Sequence, residues 1–236
     1  MTIESYIVAR NKFGDYCVPH SSSYTLTSQQ ILKGKVHEPS TIDFIVKNSA
    51  HGDIIHAGAG FGDFLPALSN SNISTIWAFE PNSLNFQCAK ETIKLNSLKN
   101  IQLFHYALGA ENCSGKLQIQ EDGQALGVRS YIDSDLANIN NIDSEIVAIK
   151  TLDSVIPNER KISLIHLDTE GYEEAIISGA KKIIEKDAPL IILEIHSEAL
   201  RYNNFMHKIN YLPLKHLIYN AGPMIFINTV YKKCGQ

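Results

Sequence analysis

The stretch Asp53-Ile54-Ile55-His56-Ala57-Gly58-Ala59-Gly60-Phe61-Gly62 decides the fold. Ile54 to Ala57 reads as a short buried strand, and three glycines follow at alternate positions, Gly58, Gly60 and Gly62. Phe64, Leu65 and Leu68 are then spaced for one face of a helix. A strand, a glycine-rich turn and a helix start together form a nucleotide-binding corner. Glycine accepts left-handed backbone and lets a ligand approach where a Cβ would collide. The first N–H groups of the new helix lack partners and present positive dipole.

Spacing narrows the ligand. A dinucleotide fingerprint requires G-x-G-x-x-G. Here the third glycine comes one residue early and Asp63 takes its place, which suits a ligand with no pyrophosphate to cradle. The next apolar run, Thr75-Ile-Trp-Ala-Phe-Glu80, ends in an acid 20 residues after Gly60. A ribose-binding carboxylate sits about that far along in such folds. The alternative role for Glu80 is to cap a helix starting at Pro81.

Working outward, residues 1–50 form an N-terminal cap. A hairpin is expected with strands at 5–9 and 16–18 around Asn11-Lys-Phe-Gly14. A short helix capped by Ser28 follows, then one with Pro39 in its first turn and Ile42, Ile45 and Val46 on one face. Beyond Glu80 the pattern predicts a helix over 83–95, a third strand over 101–107, and an antiparallel pair at 115–120 and 146–150. The polar segment 122–141 between that pair is long for a compact domain, which points to a substrate-facing lid or to partial disorder, while its Arg129 and Ser130 read as solvated surface. A fourth core strand over 161–167, a helix over 173–185 and a nearly all-apolar strand over 189–195 come next. A helix over 198–209 and a closing hairpin around Tyr219-Asn-Ala-Gly-Pro223 complete the chain. Strands alternating with helices predict one α/β domain spanning 1–236, with 51–236 as its core and a mostly parallel sheet carrying an antiparallel edge.

Several segments in order resemble the FkbM-type S-adenosylmethionine-dependent methyltransferases: Ala78-Phe-Glu-Pro-Asn82 after the glycine turn, Ala107-Leu-Gly109, Thr151-Leu-Asp153, Leu167-Asp-Thr-Glu-Gly-Tyr-Glu173 and Leu193-Glu-Ile-His196. The resemblance runs from about Glu38 to His196. It implies a Rossmann-like class I methyltransferase fold with a seven-stranded sheet, and S-adenosylmethionine as cofactor. By the same resemblance the cofactor-binding residues are His56, Gly58, Ala59, Gly60, Gly62, Glu80, Pro81, Asn82, Ala107, Leu108 and Asp168, and residues near Glu38 cross the mouth of the site. The chain departs from the family at His56, where an acid usually meets the cofactor's cationic amino group. A neutral imidazole accepts a hydrogen bond from an ammonium group, whereas an imidazolium cannot. The other possibility is that His56 turns away to a backbone carbonyl.

For a methyl transfer the protein must align the acceptor and remove a hydroxyl proton. Asp168 and Glu170 follow the fourth core strand, and Glu194 and His196 end the fifth; residues two apart in an extended segment face one side. His196 is the first choice of base because an imidazole titrates near neutrality. Asp168 would hold it or orient the acceptor, and Glu170 is next in line unless it caps the following helix. His166, inside a strand, reads as a satisfied core histidine. These carboxylates and His196 make a reasonable oxygen/nitrogen set for a metal, but the resemblance requires none and no metal is expected.

Composition bounds the partners. The chain has 236 residues, 44% of them hydrophobic, and a net charge of −4. That is ample for one large core and argues against nucleic acid, which favours a basic face. No apolar run approaches a membrane span, and the N-terminus lacks a signal-peptide pattern. Cys17, Cys88, Cys113 and Cys234 are scattered, which fits free thiols in a cytoplasmic protein. The expected activity is O-methylation of a sugar or other small-molecule hydroxyl. A non-catalytic S-adenosylmethionine-binding module is the first alternative, and a nicotinamide-dependent oxidoreductase the second.

Overall fold

The computed structural model describes residues 5–49, 52–71, 73–133, 144–194, 199–222 and 224–235. At the N-terminus β1 (Tyr6–Asn11) and β2 (Gly14–Pro19) form the expected hairpin, with Asn11 opposite Gly14. A 3-10 turn (His20–Ser22) leads to α1 (Leu26–Leu32). The cap of α1 is Thr25 rather than Ser28: the Thr25 side chain accepts the Ser28 N–H, and Ser28 lies inside the first turn. In α2 (Pro39–Asn48), Ile42 and Ile45 are buried as their spacing predicts.

The core begins with β3 (Asp53–Ala57), buried at all five positions. Then come α3 (Leu65–Ser69), β4 (Ile76–Phe79), α4 (Ser83–Leu95) and β5 (Ile101–Phe104). The third strand ends three residues earlier than its apolar run. Beyond His105 the chain turns into β6 (Ala107–Leu108), which joins a separate sheet where Gly109 N–H donates to the Lys150 carbonyl. That four-stranded sheet contains β7 (Cys113–Gln118). A minute hairpin, β8 (Gln120–Glu121) with β9 (Gln124–Ala125), and a 3-10 turn (Gly127–Arg129) lead to its remaining strands, β10 (Tyr131–Asp133) and β11 (Ser144–Lys150). The antiparallel pairing of β7 with β11 is as predicted.

After α5 (Leu152–Val155) comes β12 (Ile162–Leu167). The single helix expected next is two, α6 (Glu173–Ser178) and α7 (Lys181–Asp187). They part at Gly179, where a Cβ would run into the Gly109 carbonyl, so the second sheet packs on bare backbone. The chain finishes with β13 (Leu190–Glu194), α8 (Ala199–Lys208), β14 (Tyr211–Ala221) and β15 (Met224–Lys233).

The large sheet has seven strands in the order β14-β15-β13-β12-β3-β4-β5. The five from β13 to β5 are parallel, and β15 and β14 add the antiparallel edge. Apolar cores cover both faces, one around Ile55, Ile165 and Ile191, the other around Ile54, Leu164 and Ile192. Consecutive residues of one strand thus feed opposite cores, which is why these strands read as unbroken apolar runs. Strand order reverses between β3 and β12. In open α/β sheets ligands bind beyond the carboxyl ends of the strands at such a reversal. Among the described residues no helix is long and apolar enough to cross a membrane.

Candidate functional site

Gly58 follows β3 and Asp168 follows β12, so both stand at the reversal. Their backbones touch: Asp168 N–H donates to the Ala57 carbonyl at 3.1 Å, and a Cβ on Gly58 would strike the Asp168 carbonyl. Gly58, Gly60 and Gly62 all have left-handed φ, of 81°, 53° and 88°. The turn is held from below by α4, whose Thr92 hydroxyl donates to the Phe61 carbonyl at 2.9 Å and accepts the Cys17 N–H at 3.0 Å. The N-terminal hairpin is thereby tied to the glycine turn through one threonine.

Glu80 closes the turn from the neighbouring strand. Its Oε2 accepts the Gly60 N–H at 2.7 Å and its Oε1 the Asn82 N–H at 2.8 Å. The helix cap proper is Asn82, whose Oδ1 accepts the N–H groups of Leu84 and Asn85, both at 3.0 Å. Burial pushes the Glu80 carboxyl up to about 8, opposed by the N–H groups it accepts. A carboxylate offers about four lone-pair sites; the turn takes one on each oxygen, and the Asn85 side chain beside it also favours the charged form.

Two cavities meet at this reversal, and both are lined by Gly58 and Asp168. The smaller is a narrow, largely apolar slot between Phe79, Leu108, Tyr106 and Ile176, with Glu80, Pro81, Ala107 and Ser130 on its wall. The larger is lined by Asp63, Asp168, Glu170 and Glu194 together with Tyr24, Thr27, His37, Arg129 and Phe226. Burial raises Asp63 to about 7, Glu194 to about 7 and Asp168 well above the usual carboxylate range. Glu38, the N-cap of α2 with a left-handed φ of 44°, is buried behind them, where its Oε2 accepts from Asn228 Nδ2. It is pushed to about 8, first by burial and then by the charge of Asp168.

The expected site residues are therefore distributed unevenly. Gly58, Glu80, Pro81, Ala107, Leu108, Asp168 and Glu170 line a cavity. Ala59, Gly60, Gly62 and Asn82 build the frame: Ala59 is buried, Gly62 packs on Ala89 and Thr92, and Asn82 Nδ2 donates to Ser130 Oγ at 3.0 Å. His56 lines neither cavity. Its Nδ1 lies 2.9 Å from His166 Nδ1, the rings are stacked with Phe64, and both Nε2 atoms are buried without a hydrogen-bond partner. His166 is thus a core histidine satisfied at one nitrogen. Glu170 does not cap α6, and no other side chain does; Glu173, the first residue of that helix, accepts through its Oε1 from Thr169 and Gly171 of the loop before it. His196 lies outside the described residues.

Sequence reasoning missed Asp63 and discounted Arg129 and Ser130. The last two reach the cavities because the segment after β9 docks on α4, with Asn85 Nδ2 donating to the Gly127 carbonyl at 3.0 Å. The only sequence signal was the unusual length of that connection.

Comparison with known proteins agrees with this geometry. The methyltransferase FkbM domain model matches residues 56–213. A methyltransferase FkbM from Methylobacillus flagellatus KT superposes with a TM-score of 0.55 at 15% identity, over 77% of this chain and 44% of that one. The Pyrococcus abyssi tRNA (uracil-54, C5)-methyltransferase, in complex with S-adenosyl-L-homocysteine, gives 0.55 at 11% identity over 97% of this chain and 44% of the other. The M. jannaschii tRNA m1G37 methyltransferase gives 0.53 at 14% identity over 99% and 58%. This chain thus spans less than two thirds of each of those three proteins. At such identities the likeness is one of fold, the Rossmann-like class I methyltransferase fold expected from the strand order. No curated protein matches the chain in sequence. The match over 56–213 includes the glycine turn, Glu80, Asp168 and Glu194, and by it the chain belongs to the FkbM methyltransferase family.

Proposed function

We propose that the protein is an S-adenosylmethionine-dependent methyltransferase acting on a hydroxyl of a sugar or another small molecule. The observation that carries this is the arrangement of Glu80. It is fixed by the Gly60 and Asn82 amides and borders an apolar slot. A carboxylate at the edge of that slot suits vicinal ribose hydroxyls, and the slot between Phe79, Leu108 and Ile176 suits a flat base. The acid-lined cavity beyond Gly58 suits the cofactor's positive charges, since burial makes each ionised acid there seek a cation. When bound, the cofactor supplies an electrophilic methyl group on a sulfonium.

The chain's own residues supply position and proton transfer. Gly58, pressed against Asp168, sets how close the backbone comes to a ligand crossing between the cavities. Tyr24, Thr27 and Arg129 offer donors to an acceptor in the larger cavity, and Tyr24 and Phe226 offer faces for its apolar side. Asp168 and Glu170 stand where a hydroxyl proton would be removed, with His196 as the further candidate from the sequence. Such positioning makes the transfer effectively unimolecular. The test is to incubate the protein with cofactor labelled in the methyl group and a panel of sugars and other small hydroxyl compounds. Label appearing as a base-stable methyl ether is expected; label on nitrogen or carbon centres only would refute O-methylation.

A further inference from the structure

Asp168 and Glu194 are neighbours because β12 and β13 run parallel with Leu167 opposite Leu193. Asp168 is the first residue beyond its strand and Glu194 the last of its own, and both line the larger cavity. In that register the two carboxyl groups stand near enough for each to bear on the other's ionisation. An ionised carboxylate only accepts hydrogen bonds, and two carboxylates side by side in a buried site are costly to ionise together. The pair therefore favours holding a shared proton, as a dyad.

The surroundings make that proton hard to lose without a cation. Glu38 before α2, Asp63 in the glycine turn, and Glu170 and Glu173 beyond β12 each add negative charge toward the dyad when ionised. Around the same cavity, His37 is kept neutral by burial, its pKa lowered to about 4, and Arg129 stands on the rim. Like charges in a buried site raise proton affinity, and a nearby cation lowers it.

We propose that the Asp168–Glu194 dyad is the proton acceptor of the reaction, releasing its shared proton when the sulfonium cofactor enters and taking up the acceptor's hydroxyl proton as the methyl group is transferred. This rests on the S-adenosylmethionine-dependent O-methylation proposed above. The balance is simple. The acceptor's O–H bond breaks and leaves its electron pair on oxygen, which forms the new bond to carbon. The carbon–sulfur bond breaks with its pair going to sulfur, so the sulfonium becomes a neutral thioether. The dyad gains one proton, and neither oxidant nor reductant is required. Its proton affinity rises as the sulfonium charge disappears, which is when the hydroxyl proton must be placed.

Calorimetric titrations near neutral pH, in two buffers of different ionisation enthalpy, count the protons released on binding. S-adenosylmethionine should release close to one proton more than S-adenosylhomocysteine, which shares every other ionisable group but carries a neutral thioether. Glu194→Gln, whose amide can still donate to Asp168, should bind both ligands and abolish that difference. Infrared difference spectra should show a protonated-carboxyl band lost on addition of S-adenosylmethionine and already missing in Glu194→Gln. Should that variant fail to fold, Asp168→Asn gives the same two readouts. Equal proton release for the two ligands in the wild type overturns the dyad, as does an unchanged difference in a folded variant. Failure of both ligands to bind the folded wild type overturns the cofactor assignment instead.

Discussion

Replacing Glu80 by glutamine separates its two duties. In the protein each carboxylate oxygen accepts one backbone N–H, from Gly60 at 2.7 Å and from Asn82 at 2.8 Å. Glutamine presents one oxygen, and its amide group would face the second N–H, donor against donor. An unsatisfied buried N–H costs about 1–3 kcal/mol. For a chain of this length each kcal/mol moves Tm by about 2–4 °C, so a fall of roughly 2–12 °C is expected. The carboxylate is also the group assigned to the ribose hydroxyls. Their charge-assisted bonds are worth about 1.5–3 kcal/mol, or roughly 10- to 100-fold in cofactor affinity. Thermal melts and calorimetry on one preparation, titrated well below its melting point, read both effects. A lowered Tm with affinity within about twofold of wild type would mean that Glu80 holds the turn and nothing else.

Other substitutions and conditions give sharper or opposite signatures. Gly58→Ala should lower stability by roughly 2–4 kcal/mol and abolish cofactor binding, because its Cβ meets the Asp168 carbonyl and its φ is left-handed; wild-type melting and affinity would contradict the packing at the reversal. His196→Ala should leave the difference in proton release between the two ligands intact, and its disappearance would transfer the proton from the dyad to the imidazole. The pKa of buried His56 is lowered to about 4, so its stabilising contribution is present above the ordinary value near 6.5 and is lost as pH falls through 4. His56→Phe should therefore gain on wild type by up to about 1.4 kcal/mol per pH unit across that window in chemical denaturation, and a constant gap would refute the buried neutral imidazole. The raised acids act with the opposite sign: Glu80 and Glu38 at about 8 and Glu194 at about 7 stabilise the fold below their ordinary values and lose that contribution as pH rises through 7 and 8. The increase in Tm produced by S-adenosylmethionine should accordingly grow from pH 5 to pH 8, and an increase that shrinks over that range would count against an acid-lined cation site.

What the sequence disclosed follows from what is local. Ile54 to Ala57 and Leu190 to Leu193 read as strands because both faces of the sheet are covered and no polar residue need alternate. The glycine turn and the 83–95 helix were legible because each rests on neighbours within a few residues, and Glu80 because its spacing from Gly60 follows from one strand–helix–strand unit. Long-range packing was not. Gly179 splits a helix because the Gly109 backbone lies against it, 70 residues away in sequence. Nothing around His56 announces that its partner is His166 on the adjacent strand, so the expectation of a cofactor contact there met a buried imidazole pair instead. The pairing of Asp168 with Glu194 depends on the register of β12 with β13, which no spacing within either segment encodes. No side chain caps α6: Glu170 has a left-handed φ of 52° and does not, and Glu173 accepts the Thr169 and Gly171 amides of the preceding loop instead.

The most direct test of the central claim is equilibrium dialysis of the protein against S-adenosylmethionine labelled in its methyl group, with S-adenosylhomocysteine as competitor. The account predicts saturable retention of one cofactor per chain, displaced by the competitor and weakened in Glu80→Gln. No retention by the folded wild-type protein, or retention that Glu80→Gln and the competitor leave unchanged, would contradict it.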